Sequence, residues 1–351
     1  MAYTNIDDPS AHFQTIGWTG NDVDGRALTN DGNSDLQPDL VWLKAAVGYN
    51  HYWIDSSRGV TKYLSSNTDT ADTTWTDLVE SFDTDGFTVG DDGSQVPNHT
   101  GNVFAAWQWK AGGGTTASNT DGNITSTVQA NTTAGFSIVT YTGNTSNNQT
   151  VGHGLGAKPG IIIIRNRTRA ETWRFNHQSI NNGTGMSQFN NTTAYNTTGT
   201  TLMNVAPTSS VFSVSTDWSV NGNYPFVAWC WAEKQGYSKF GSYKGTGTAN
   251  GPFVHTGFKP AFILFKKSSD AGDNWMMYDH KRPGYNETTK AYYPNSNAAE
   301  STSTNNSLDI LSNGFKLRSS FGAVNQNTHT YMYMAFAENP LVTSTGIPTT
   351  A

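Results

Sequence analysis

Apolar residues in this chain come in short runs set between long polar stretches rich in Asn, Gly, Thr and Ser. Runs such as Phe104-Ala-Ala-Trp107-Gln-Trp109 and Phe226-Val-Ala-Trp229-Cys-Trp231 are aromatic and alternate large with small side chains. That period of two predicts strands, and the Asn/Gly/Thr spacers predict turns and loops. Trp107 and Trp109 share one face, as do Trp229 with Trp231 and Met334 with Phe336, whereas the other face carries mostly small residues. The bulky face is read as core. Ile161–Ile164 is apolar on both faces, which predicts a strand in mid-sheet with both sides covered. No stretch carries a convincing helical stripe; residues 70–81 have a weak case for one short helix.

The strands recur in a fixed order. An opening strand, Phe13-Gln-Thr-Ile-Gly-Trp18, returns as Phe136-Ser-Ile-Val-Thr-Tyr141 and Ser238-Lys-Phe-Gly-Ser-Tyr243. A proline then enters an apolar strand that ends in a base: Pro38 to Lys44, Pro159 to Arg165 and Pro260 to Lys266. Proline at strand entry removes no ladder donor. An aromatic strand, a Gly/Val-Phe strand (Gly86-Phe87, Val211-Phe212, Gly314-Phe315) and a closing aromatic strand follow in each case. From Pro38 to Pro159 is 121 positions and on to Pro260 is 101, and the other elements keep nearly the same offsets. Five elements in one order at matching offsets predict an internal triplication. The expected fold is all-β, with three tandem β-sandwich (jelly-roll-like) domains: 1–110 with an N-terminal arm, 135–235 and 236–340. Between the first two lies 111–134, a Gly/Thr/Asn-rich stretch with the composition of a flexible linker. Residues 341–351 form a tail without a strand pattern.

Composition sharpens this picture. The 351 residues are 35% hydrophobic, which is low, but 12% aromatic with a net charge of only −6, which is not a disordered composition. One Cys excludes a disulfide framework, and net negative charge argues against nucleic-acid binding. No apolar run is long enough to span a bilayer, and the start Met1-Ala2-Tyr3-Thr4 does not read as a secretory signal.

Candidate chemistry is sparse. Acids cluster in loops (Asp7-Asp8, Asp22 with Asp24, Asp83 with Asp85, Asp91-Asp92) without a pair set apart for glycoside hydrolysis. Asp83-Thr-Asp85-Gly86 resembles only a fragment of a calcium loop. The eight His are dispersed and show no ligand spacing, and Cys230 reads as a buried inert thiol. Asp55-Ser-Ser-Arg58 and Asp279-His-Lys-Arg282 read as Asp–Arg pairs bracing a turn, with His177 standing in the second copy. The reading is therefore of no catalytic residue, no metal site and no cofactor. Trp18, Tyr141 and Tyr243, which recur before each Thr/Lys-Gly turn, are candidate glycan-contact aromatics, with packing at the edge of each core as the competing role. Tyr3, Phe13, Leu341 and Ile347 mark candidate docking segments at the two ends, expected to order on assembly.

Several segments resemble a known family. Ile6-Asp-Asp-Pro-Ser-Ala-His-Phe-Gln14, Val151-Gly-His-Gly-Leu-Gly156, Thr256-Gly-Phe-Lys-Pro260 and Tyr333-Met-Ala-Phe-Ala-Glu-Asn-Pro340 resemble tandem-repeat virion structural proteins of tailed, mainly marine, bacteriophages. The resemblance runs from about Tyr3 to Pro340. It implies a non-enzymatic virion surface protein, such as a tail fibre, a knob or a capsid decoration, made in the host bacterial cytoplasm. The implied partners are other virion proteins and host surface glycans, in a chain that oligomerises or stands alone, with no nucleic acid and no membrane insertion. The alternatives are a virion-associated polysaccharide depolymerase and a lectin-like module.

Overall fold

The computed structural model describes residues 3–195, 201–282 and 286–349. The protein is all-β, with 40% of residues in strands and 5% in helices. Three large antiparallel sheets dominate. The first orders its strands Phe13–Thr19, Val103–Trp109, Leu40–Ala45, His51–Asp55, Lys62–Ser65, Thr73–Thr74. The second runs Ala117–Asn119, Ser126–Asn131, Phe136–Thr142, Pro225–Trp231, Ile161–Asn166, Arg174–His177, Ser187–Gln188. The third runs Ser238–Lys244, Thr330–Pro340, Phe258–Lys267, Met276–Asp279. In each, the opening strand pairs with the closing strand, which pairs with the proline strand, which pairs with the aromatic strand.

Each large sheet is backed by a small one. Arg26–Leu28, Gly86–Val89 and Ser81–Asp83 back the first; Gln149–Gly152 and Val211–Val214 the second; Phe253–His255, Gly314–Leu317 and Leu308–Leu311 the third. The layers are unequal, with six strands against three, seven against two and four against three among the described residues. The two-layer packing is that of a β-sandwich. Within each pair one buried cluster joins the layers: Val41, Leu43 and Ala106 with Phe87 and Val89, Ile162, Ile164 and Ala228 with Phe212 and Val214, and Ile263, Phe265 and Ala335 with Phe315 and Leu317.

The bulky face of every large sheet points away from its own small sheet. Trp42, Trp107 and Trp109, Ile161, Ile163, Trp229 and Trp231, and Phe262, Leu264, Met334 and Phe336 all belong to a single further cluster at the centre of the molecule. Trp53 lies 5.0 Å from Trp229, Trp109 lies 5.9 Å from Trp231, and Phe175 lies 4.7 Å from Trp275, so rings from different sheets are in contact. The bulky face is core, as expected, but it is a core shared by three sheets. The interior of each sandwich mixes Ala and β-branched residues with rings such as Phe87, Phe212 and Phe315. The wider space between three sheets takes Trp, which buries the most apolar area per residue.

Three local expectations are corrected. Residues 111–134 are no flexible linker, since Ala117–Asn119 and Ser126–Asn131 extend the edge of the second large sheet. The glycines there turn their amides onto fixed acceptors: Gly113 and Gly114 donate to the two oxygens of the Asp39 carboxylate at 2.9 Å each, and Gly112 donates to Gln129 Oε1 at 3.0 Å. Residues 70–81 hold no helix: Arg58 and Arg167 both bind Asp72, Thr73–Thr74 is a short strand, and a turn follows at 76–78. The described segments near the two ends, around residues 5–7 and 344, are also tied down. Asp7 accepts the Ser344 amide at 2.6 Å, Asn5 N donates to Gln235 O, and Ile6 is buried in the central core.

Candidate functional site

The three repeated aromatics lie at matched places, all of them inside. Trp18, Tyr141 and Tyr243 are 7%, 4% and 8% exposed. Each stacks on a ring of the neighbouring closing strand: Trp18 on Phe104 at 5.3 Å, Tyr141 on Phe226 at 5.1 Å and Tyr243 on Tyr331 at 4.8 Å. Tyr141 Oη donates to Val220 O at 2.6 Å and Tyr243 Oη to Val324 O at 2.8 Å. Buried and stacked, these rings offer no platform to a sugar, which corrects their assignment as glycan contacts. The glycines two residues on are fixed by contact: a Cβ on Gly20, Gly143 or Gly245 would sit 2.0–2.1 Å from a carbonyl oxygen of His99, Gly222 or Gln326.

Of the proposed docking residues, Tyr3 and Ile347 are exposed, at 63% and 62%, and Leu341 is half-buried. Phe13 is no docking residue, because it stacks on Phe336 at 5.2 Å and packs against Trp109 inside the shared core. Tyr3 and Leu341 line one cleft of about 630 Å³, together with Glu233, Lys239 and His255.

The Asp–Arg pairs brace turns as the sequence suggests, in near-identical geometry. Arg58 Nε meets Asp55 Oδ2 at 2.6 Å, its amide meets Asp55 Oδ1 at 2.9 Å, and Nη1 reaches Asp72 at 2.7 Å. Arg282 repeats this with Asp279 at 2.6 and 2.9 Å and with Glu300 at 3.1 Å. Burial pulls Arg58 toward neutrality, but Asp55 and Asp72 outweigh it and hold its pKa above the ordinary value. Both guanidiniums lie over rings, Arg58 over Trp229 and Arg282 over Tyr292. His177, at the matched position, is neutral: Nε2 donates to Tyr333 O at 2.9 Å, Nδ1 accepts from Ser179 N, and burial lowers its pKa to about 4.

The bases that end the proline strands are all buried: Lys44, Arg165 and Lys266. They face the same side as Trp42, Ile163 and Leu264 and enter the seams between sheets. Arg165 Nη2 donates to the carbonyls of Asp69 and Thr70 in the first segment, and Lys266 Nζ to Thr192 O in the second. Lys44 Nζ donates to Val47 O and lies 5.6 Å from the Tyr292 ring of the third. Burial lowers their pKa values to about 7 for Lys44, 10 for Arg165 and 8 for Lys266. Each donates to backbone carbonyls, and Lys44 and Arg165 also lie against rings, which suits a structural strut.

Asp83 accepts from the Ser81 and Thr88 hydroxyls and Asp85 from Leu36 N, so this segment is a braced hairpin turn and no calcium loop. Asp24, Asp77 and Glu80 approach one another near the surface, and burial, with repulsion from Asp24 and Asp77 added, raises the Glu80 pKa. Burial pushes the Cys230 thiol up, away from the reactive thiolate.

Two features escaped the sequence. Asn98, Asn221 and Asn325 are fully buried plugs at matched places: Asn221 bridges Asn144 N and Ser146 O, Asn325 bridges Thr246 N and Thr248 O, and Asn98 donates to Val23 O. In a chain so rich in Asn, nothing marks these three. The other is Trp218, 52% exposed, beside Arg169, Tyr224 and Asp217. Its signal was present, since Trp218 and Trp75 are the tryptophans that lie outside the five recurring elements.

A family model described as a domain of unknown function (DUF7483) matches residues 8–340. No curated protein and no solved structure matches the chain. Among the described residues, no helix is long and apolar enough to cross a membrane.

Proposed function

This chain belongs to that family, and we propose that it is a non-enzymatic surface component of a tailed-phage virion, a fibre, knob or decoration protein. In this reading it is one β-sandwich triplicated within a single chain, with boundaries near residues 110, 135, 235 and 340, and it does alone what a homotrimer does elsewhere. Its partners are other virion proteins, and it contacts glycans of the host surface.

One observation carries the reading. The same four-strand order occurs in three large sheets around one shared core, and the residues matched among them serve packing and turns. The matched polar groups, Asp55 with Arg58 and Asp279 with Arg282, are consumed by each other, which supports a role in covering or binding. A disulfide-free, densely packed aromatic core with uncharged polar loops also suits an exposed particle surface.

Mass spectrometry of purified particles tests the proposal. The chain is expected among the virion proteins, and its absence overturns the reading. Immunogold labelling then separates a head decoration from a tail fibre.

A further inference from the structure

We infer that the concavity around Trp218 binds a neutral pyranoside, one sugar ring lying against the indole. The inference deepens the surface-protein reading by naming a ligand class and rests on it for biological setting, whereas the geometry stands on its own.

The concavity has a volume of about 540 Å³ and is lined by Arg169, Glu171, Arg174, Thr201, Thr216, Asp217 and Trp218. Large aromatic side chains elsewhere are mostly buried, but Trp218 is 52% exposed. Trp218 presents a flat apolar indole within a polar hollow, and the C–H face of a pyranose is a surface that matches it. The indole is held in place: the Arg169 guanidinium lies 5.3 Å from its ring and 5.1 Å from that of Tyr224, and Arg169 Nη1 donates to Tyr224 Oη at 3.1 Å.

The polar groups favour hydroxyls over anions. Two guanidiniums face two carboxylates, so the site carries no excess charge. Arg169 Nε and Glu171 Oε1 are 3.6 Å apart, as are Arg174 Nη2 and Asp217 Oδ1. Those separations are too long for good hydrogen bonds. Each pair presents a donor beside an acceptor, and a hydroxyl, which gives one bond and takes one, complements both. Asp217 is fixed by the Ser219 amide at 2.9 Å and by the Ser219 hydroxyl, both on Oδ1, and Arg174 Nε is fixed on Ser219 Oγ at 2.6 Å.

The Asp217–Trp218 pair has no counterpart at the matched positions of the other two segments. Aligned on the buried Asn221 and Asn325, Asp217 and Trp218 correspond to Phe321 and Gly322, and counting back equally from Asn98 gives Ser94 and Gln95. The second segment thus departs from the common pattern where these groups converge.

Saturation-transfer NMR on the full chain, with methyl glucoside, methyl mannoside, methyl galactoside and glucuronate as probes, tests the inference. At least one neutral methyl pyranoside is expected to receive saturation at its ring protons. Trp218→Ala should weaken that binding about tenfold or more while the unfolding midpoint stays unchanged, and Trp218→Phe should retain part of it. The inference is overturned if no neutral pyranoside binds, if Trp218→Ala binds as well as the parent, or if glucuronate outcompetes every neutral probe. Because isolated protein is used, failure here leaves the particle assignment to its own test.

Discussion

The seam between the first and second large sheets and the seam between the second and third solve one problem in opposite ways. At the end of the aromatic strand, the first seam holds Asp55 and Arg58, with Asp72 shared between Arg58 and Arg167. At the matched position the other holds His177, neutral and bonded to a carbonyl. Charge is used where several groups can surround it, and a neutral donor where one acceptor is within reach. The difference teaches that a fold can tolerate either solution, but with different weaknesses. Removing one charge from the first seam strands the others, whereas the second is exposed to protons.

The largest break follows from that. Asp55→Ala leaves the Arg58 guanidinium in a dry seam with Asp72 as its remaining carboxylate, and should cost about 3–5 kcal/mol in urea unfolding. The second seam should fail with acid. With a native pKa of about 4, His177 stays neutral while the unfolded chain takes up its proton below about 6.5. Its stability contribution is therefore complete above pH 6.5 and falls away toward pH 4, by up to about 3 kcal/mol. His51, also pushed down by burial, adds to the same trend, and His177→Gln should flatten the curve of unfolding midpoint against pH.

A stabilising change sharpens the comparison. Lys44 has no carboxylate and a native pKa near 7, so between pH 7 and about 10 the unfolded chain binds one more proton and stability rises with pH. Lys44→Met should therefore stabilise by about 2 kcal/mol at pH 7 and below, with the gain vanishing near pH 10. The smallest effect is expected at Tyr141→Phe, which leaves Val220 O without its hydroxyl donor and should cost about 1 kcal/mol. Tyr243→Phe should match it, as the paired role of the two rings requires.

The strands themselves were legible because their pattern is local. Pro159 entering a run apolar on both faces gives a mid-sheet strand, and Ile161–Asn166 is one, between Pro225–Trp231 and Arg174–His177. What covers each face was not legible. Alternation in Phe104-Ala-Ala-Trp107-Gln-Trp109 separates large from small, but it does not say that the large side meets two other sheets. Trp18, Tyr141 and Tyr243 misled for the same reason: recurrence tracked a place in the sandwich, and sequence does not distinguish a stacked ring from a presented one. The stretch 111–134 misled by composition, since its glycines are ordered by Asp39, some seventy positions earlier. Trp218 was readable only as a tryptophan without counterparts.

The shared aromatic core has one more consequence, for how such a chain can change. The matched positions Trp107, Trp229 and Met334 open into one room, so its volume is pooled. A side chain can shrink in one segment if another grows opposite it, and only the sum is constrained. Segments joined in this way are coupled through their packing, so none can be replaced without refitting the other two.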